Sequence, residues 1–186
     1  MTGATDTLRV ISALLETASV PYMVVGSFAA MSYGVARNTQ DVDIVIDPTA
    51  ESLEVFLAAV DPDKFYVDAD TARDALQRRS MFNLIDMANG WKVDLVVRKA
   101  RPFSIEEMKR RGIRTIADVD VSTASAEDVV IAKLEWAKQG ESERQLRDVA
   151  EIVRVHSNNL DRGYVAKWVA ALELGKEWSR VEALID

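Results

Sequence analysis

Two aspartates two positions apart constrain this chain more than any other feature, because they stand in the short apolar run Asp41–Ile46. A run of this length, rich in valine and isoleucine, predicts a strand, on which residues two apart point to the same face. Two carboxylates about 4 Å apart repel each other by roughly 4 kcal/mol at an effective dielectric constant of about 20. A fold that keeps Asp41 and Asp43 side by side therefore needs a cation, and hard cations such as Mg²⁺ take oxygen ligands.

A Gly-Ser pair precedes these aspartates, and thirteen residues separate Ser27 from Asp41. Glycine lets a backbone approach a phosphate closely, and a helix N-terminus offers free N–H groups and a partial positive charge. Gly26 ends a short apolar run, and we expect Ser27 to cap a helix over Phe28–Tyr33. A phosphate cradle beside a metal-binding pair predicts nucleotide chemistry.

A metal site for a nucleoside triphosphate needs a further carboxylate, because the metals bridge the triphosphate oxygens and the attacking hydroxyl. Asp94 is a lone acid with apolar neighbours in a second run of strand character. Aspartate is disfavoured in strands, so its presence there calls for an explanation. Asp86, in the preceding run, is the alternative for the same place.

Composition narrows the classes of protein. The chain has 186 residues, is 48% hydrophobic and 28% charged, and fits one globular domain or one domain with an appendage. The absence of cysteine excludes disulfides, thiolate zinc sites and cysteine nucleophiles. The sequence contains no run of about 18 apolar residues that would predict a membrane span, and it shows no pattern typical of a secretory leader. We therefore expect a cytoplasmic protein without membrane partners. The net charge of −7 argues against avid, nonspecific nucleic-acid binding.

One segment departs from this acidic balance, since seven basic residues lie between Arg98 and Arg114 and only two glutamates oppose them. One interpretation is a solvated helix face with pairs such as Glu106–Arg110. The other is a basic patch that receives a polyanion. We favour the solvated face, because such runs are usually solvated.

Hydrophobic periodicity predicts an α+β fold with two parts, a mixed part over residues 1–121 and a helical region over residues 122–186 that packs on it. An Asn89-Gly90 dipeptide predicts a hairpin turn. Predicted strands cover Tyr22–Val25, Asp41–Ile46, Lys64–Val67, Met81–Met87 and Trp91–Val97. Residues 113–121 are predicted to be irregular, with one strand as an option. The remaining predicted helices cover Thr7–Ala18, Glu51–Val60, Thr71–Arg79, Ser104–Arg111, Glu127–Lys138, Glu143–Val155, Arg162–Leu174 and Lys176–Leu184.

The order Gly26-Ser27, Asp41-x-Asp43 and a later strand Asp94 resembles the DNA polymerase β-type nucleotidyltransferase superfamily. The segment from Arg37 to Asp43 is similar to the Arg-x-Thr-x-Asp-x-Asp form of AbiEii-like bacterial nucleotidyltransferases. The motifs cover residues 22–97, and the likeness extends loosely over the whole chain. It implies a mixed sheet of the nucleotidyltransferase type, flanked by helices, as the catalytic core.

The resemblance also implies roles for individual residues. Mg²⁺, with Mn²⁺ as an alternative, would be held by the carboxylates of Asp41, Asp43 and Asp94. Asp94 would also act as the base on the acceptor hydroxyl. The nucleotide, ATP or another triphosphate, would be bound by Gly26, Ser27, Arg37, Thr39 and Lys133. Lys133 would in addition neutralise the leaving pyrophosphate. Asp148 stands where a further catalytic acid occurs in that group, and Glu151 replaces the second acid of that pair.

We therefore expect transfer of a nucleotide monophosphate from a triphosphate to a hydroxyl, with release of pyrophosphate. The acceptor is open: a tRNA end, a partner protein or a small molecule. A bacterial toxin–antitoxin or defence setting, with a cognate toxin or antitoxin as partner, is one expectation. The alternative is a non-catalytic module of the same fold, such as an antitoxin, while a hydrolase would lack an evident nucleophile beyond the same acids.

Overall fold

The protein is described here by a computed structural model covering residues 2–36, 39–140 and 142–185. Within these ranges no helix has the length and apolar character needed to cross a bilayer. Helices and strands are mixed along the chain up to residue 123, and the described elements after it are helices. The last strand, Val119–Thr123, extends past residue 121, where the sequence predicts the end of the mixed part.

A mixed seven-stranded sheet forms the centre, in the order β3-β4-β5-β2-β1-β7-β6. Strands β2 and β5 are parallel, as are β1 and β7, and the other neighbours are antiparallel. The strands are β1 (Tyr22–Val24), β2 (Asp41–Ile46), β3 (Phe65–Val67), β4 (Met81–Asp86), β5 (Lys92–Val97), β6 (Gly112–Ile116) and β7 (Val119–Thr123).

Helices cover the sheet on both sides. They are α1 (Thr2–Thr17), α2 (Gly26–Ser32), α3 (Ala50–Ala59), α4 (Ala69–Arg78), α5 (Pro102–Arg110), α6 (Ala126–Gly140), α7 (Glu143–Val155), α8 (Arg162–Ala171) and α9 (Gly175–Ile185). Two buried apolar clusters result. One joins α1, α3 and α4 to one face of the sheet, and the other joins α2 and α5–α9 to the opposite face.

Alternation along β2 assigns its residues to these two layers. Val42, Ile44 and Ile46 are fully buried against the first cluster. Asp41 and Asp43 therefore point to the opposite face, on the side of the C-terminal helices. The apolar half of the strand fixes its register, because a slip by one residue would bury both carboxylates in the core.

Two local predictions are wrong. Ser27 is not the helix cap: α2 begins at Gly26, Val25 is its N-cap, and no side chain caps it. Residues 113–121, predicted to be irregular with one strand as an option, instead belong to a hairpin of two strands, β6 and β7. Its turn residues, Ala117 and Asp118, both have positive φ, of 47° and 65°. Asn-Gly is the dipeptide typical of such a turn, so the Ala117-Asp118 dipeptide did not predict one.

Candidate functional site

Parallel pairing of β2 and β5 brings the predicted carboxylates together. Asp43 lies directly opposite Asp94, and Asp41 lies opposite Lys92. Directly opposed residues of paired strands point to the same face, so all three acids share one side of the sheet. Asp94 is 8% exposed.

The pKa of Asp43 lies well above the ordinary value of an aspartate. Burial raises its pKa to about 6, and the negative charges of Asp41 and Asp94 contribute in the same direction. Lys92 and Lys133 oppose this shift from a distance. Asp43 is therefore a half-buried carboxyl whose charged form is compensated only in part, which is the condition that a bound cation relieves.

Asp94 has its own partners within the sheet. Oδ2 forms an ion pair with Lys92 Nζ at 3.0 Å, and Oδ1 accepts a hydrogen bond from the Asn83 side chain. In the part of the chain that the structure describes, no three acidic or histidine side chains are grouped closely enough to hold a metal ion as they stand. The oxygen donors of Asp41 and Asp43 suit a hard cation. Asp94 can join them only if Lys92 releases its carboxylate.

Asp86, the alternative for the third acid, belongs to the other face. It alternates with Asn83 along β4 and is buried beside Phe82 and Leu84. Its carboxylate accepts hydrogen bonds from the Thr7 hydroxyl at 2.6 Å and from the N–H groups of Ala88 and Asn89. These bonds hold the pKa of Asp86 below its usual value despite its burial. Asp86 stabilises the hairpin and anchors α1, so the structure rejects it as a ligand beside Asp43.

The Gly-Ser turn lies against Asp43. Gly26 adopts φ +61°, and a Cβ built there would lie 2.1 Å from Asp43 Oδ2. The N–H of Val25 donates to the carbonyl of Asp43 at 2.9 Å, which fixes the turn to β2. Only glycine fits this combination of left-handed backbone and close approach.

The connection that enters β2 contributes one described residue. The Thr39 hydroxyl donates to the carboxylate of Asp41, so Thr39 orients that acid. Arg37, the other residue predicted to contact nucleotide from this connection, lies outside the described residues.

Lys133 and Asp148 form a buried ion pair between α6 and α7. The Lys133 ammonium donates to Asp148 Oδ2 at 2.8 Å and to Gln145 Oε1 at 3.0 Å. The two residues are 5% and 4% exposed, so a snorkelling lysine is excluded. Lys133 also lowers the pKa of Asp43 through its charge, which places its ammonium within electrostatic reach of the carboxylates. Glu151, further along α7, is half-buried.

These residues border a cleft of about 450 Å³ between the sheet and the C-terminal helices. Its lining includes Gly26, Ser27, Asp41, Asp43 and Lys133. Five of the predicted site residues thus line one cavity. Asp94, opposite Asp43 in the sheet, and Thr39 are not among its lining residues.

The cleft has a second wall that sequence reasoning missed. It is built from α5 and α6 and carries the following side chains: Arg101, Ser104, Glu107, Asp128, Glu135 and Trp136. Burial raises the pKa of Glu107 to about 7, and the charge of Asp128 adds to the effect. No spacing in the sequence distinguishes Glu107 from its neighbour Glu106.

Three of the seven basic residues between Arg98 and Arg114 form ion pairs within the fold. Arg98 pairs with Asp47 at 2.8 Å, and Arg101 pairs with Glu135 at 2.5 Å. Arg110 pairs with Glu127 of α6 rather than with Glu106. These pairs tie α5 and the end of β5 to the rest of the fold, which weakens the case for a continuous polyanion patch.

Neither protein-family models nor curated proteins match this chain in sequence. Solved structures do match it in fold. Against the crystal structure of ANT(2'')-Ia in complex with adenylyl-2''-tobramycin the TM-score is 0.62 at 14% identity, over 93% of this chain and 98% of that one.

Two further structures agree. An antigenic nucleotidyltransferase-like protein from Paracoccidioides brasiliensis gives a TM-score of 0.56 at 16% identity, over 96% of this chain and 91% of that one. The lincomycin-bound lincosamide antibiotic adenylyltransferase LnuA gives 0.53 at 14% identity, over 80% and 95%. The predicted fold class is confirmed: this chain has the nucleotidyltransferase fold.

Proposed function

We propose that this protein is a Mg²⁺-dependent nucleotidyltransferase that moves a nucleotide monophosphate from a triphosphate to a hydroxyl. The observation that carries the proposal is the contact between Gly26 and the Asp43 carboxylate, at a cleft bordered also by Asp41 and Lys133. A glycine at positive φ lets the Gly-Ser turn approach the Asp43 carboxylate more closely than a residue with a side chain could, which brings the turn and the acids to the same part of the cleft.

The metal would be held by Asp41, Asp43 and Asp94. Mg²⁺ would supply Lewis-acid stabilisation of the triphosphate. The fit rests on the oxygen donors and on Asp43, whose buried charge the protein itself compensates only in part. Lys92 is the counter-charge of Asp94, and it would have to release that carboxylate for Asp94 to hold the cation.

Ser27 and the backbone at Gly26 would bind the triphosphate, together with Lys133 and Arg37. Thr39 would contribute by holding Asp41 in place. The acceptor oxygen attacks the α-phosphorus, a P–O bond to the acceptor forms, and the bond to the β-phosphate oxygen breaks. Pyrophosphate leaves, and the acceptor proton passes to a carboxylate, for which Asp94 is the candidate.

The acceptor that the cleft favours is a small hydroxyl compound. A volume of about 450 Å³ is within the range of small-molecule sites. The neighbours in fold include structures with adenylyl-2''-tobramycin and with lincomycin, both of them small molecules. Membership of the AbiEii-like branch, a toxin–antitoxin role and a tRNA or protein acceptor remain the alternatives for the same site.

Nucleotide binding tests the proposal. Thermal shift with each NTP, with and without Mg²⁺, compares the wild type with the Asp41→Ala/Asp43→Ala variant. The matched control is Asp70→Ala/Asp74→Ala, which removes two exposed acids from α4. We expect stabilisation only when metal and triphosphate are both present, and loss of it only in the first variant.

A wild type that gains no stability from any triphosphate with Mg²⁺ would reject the enzyme and favour a non-catalytic module. Incorporation of label from α-labelled NTP into RNA or protein of a cell extract would replace the small-molecule acceptor with a macromolecular one.

A further inference from the structure

Glu107 is a buried acid in the cleft that forms no ion pair with a described residue. It is 8% exposed and lines the cavity from α5. The Ser104 hydroxyl is its hydrogen-bond donor, and among the described residues no lysine or arginine forms an ion pair with it. Burial of a carboxylate is costly unless it is paired, so this position calls for an additional cation.

The arginines of the same wall are already engaged. Arg101 holds both oxygens of Glu135, at 2.5 and 2.6 Å. Arg110 donates to Glu127 and lies 3.4 Å from Asp128. Both arginines are thus bound to other carboxylates. The charge of Arg101 offsets that of Glu107 only in part, and the charges of Asp128 and Glu135 make the surroundings of Glu107 more negative.

An exposed aromatic ring borders the same cleft. Trp136 of α6 is 65% exposed, although tryptophan side chains are usually well buried. It lies one helical turn after Lys133, which the proposed function assigns to the phosphates. A tryptophan face attracts cations and stacks on rings, so it complements a buried acid in selecting a cationic, ring-bearing ligand.

From this pairing we infer that the α5–α6 wall is the acceptor subsite and that it selects a hydroxyl compound bearing an ammonium group. The ammonium binds the Glu107 carboxylate, and the ring that carries it packs on Trp136. A neutral acceptor would leave the Glu107 carboxylate with only the partial compensation that Arg101 provides. This inference rests on the proposed function, because it names the substrate class of the same cleft.

Calorimetric binding of tobramycin and of its fully N-acetylated form tests the inference, since the two share a skeleton and differ in charge. Each is titrated at pH 7.5 into protein holding Mg²⁺ and a non-hydrolysable ATP analogue. The variants are Glu107→Gln and, as a matched control on the same helix, Glu106→Gln. Thermal unfolding verifies that both variants fold.

We expect the amine form alone to bind, with affinity at least about tenfold weaker in Glu107→Gln and unchanged in Glu106→Gln. Trp136→Ala should weaken binding of the amine without changing binding of the ATP analogue. Equal binding of both forms, equal affinity of Glu107→Gln and wild type, or absence of amine binding would overturn the inference. Binding of the ATP analogue in the same samples reports separately on the proposed function.

Discussion

Gly26 lies so close to Asp43 that a single added methyl group would reach the carboxylate, with Cβ 2.1 Å from Oδ2. Gly26→Ala should therefore displace the turn or the acid, in addition to straining a backbone at φ +61°. We expect a loss of about 2–4 kcal/mol in the free energy of unfolding. We also expect loss of Mg²⁺-dependent nucleotide binding. Urea denaturation and thermal shift measure the two effects.

Gly90→Ala is the control for backbone strain, because Gly90 has φ +70° and open space around its missing Cβ. Gly90→Ala should lower the free energy of unfolding by about 1 kcal/mol and leave nucleotide binding intact. If the two variants behaved alike, the close approach to Asp43 would carry no function.

Asp43→Asn should stabilise the metal-free protein at neutral pH. The native state holds the Asp43 proton up to a pKa of about 6, above the ordinary value of 3.8. Between these two values the native state binds more protons than the unfolded chain, so its stability falls as pH rises. Asp43→Asn lacks this titration, so above pH 6 its free energy of unfolding should exceed that of the wild type by up to about 3 kcal/mol.

Urea denaturation from pH 4 to pH 8 in chelator measures this difference. It should vanish near pH 4, where the wild-type carboxyl is protonated in the native state. Asp70→Asn on α4 replaces an exposed acid and should show no such pH dependence. If the wild type and Asp43→Asn were equally stable at every pH, the ionised Asp43 carboxylate would not destabilise the native state.

The Lys133–Asp148 pair should be costly to break from either side. Lys133→Met leaves Asp148 buried without its 2.8 Å partner, and Asp148→Asn does the reverse. We expect about 3 kcal/mol of destabilisation for each single variant. The double variant should cost clearly less than the sum, and a double-mutant cycle in urea measures this coupling. Additive costs would show that the two side chains are stabilised by other groups.

Much of the site follows from alternation along the strands. Strand β2 covers Asp41–Ile46, as predicted, because Val42, Ile44 and Ile46 stand at alternate positions and face the core together. The same alternation decides between the two candidates for the third acid. Asp86 falls on the face of Phe82, whereas Asp94 pairs with Asp43.

Other parts depend on contacts between distant segments. Asn83 of β4 reaches Asp94 only because β4 and β5 pair in one particular register, whereas Lys92 lies two residues before Asp94 on the same strand. Glu107 gains its role from the burial of α5 against α6, and nothing in its local sequence indicates this. The Ala117-Asp118 turn is imposed by the pairing of β6 with β7 rather than by turn propensity.

Pyrophosphate release tests the central claim most directly. The protein is incubated with Mg²⁺, each NTP and a panel of small hydroxyl acceptors, and pyrophosphate and modified acceptor are both quantified. We predict equal amounts of the two products, dependence on Mg²⁺, and a decrease of at least about 100-fold in Asp94→Asn, since charge-stabilising groups of this kind contribute such factors. Triphosphate turnover unchanged in Asp94→Asn, or no pyrophosphate from a wild type that binds Mg²⁺ and triphosphate, would contradict a nucleotidyl-transfer site at Asp41, Asp43 and Asp94.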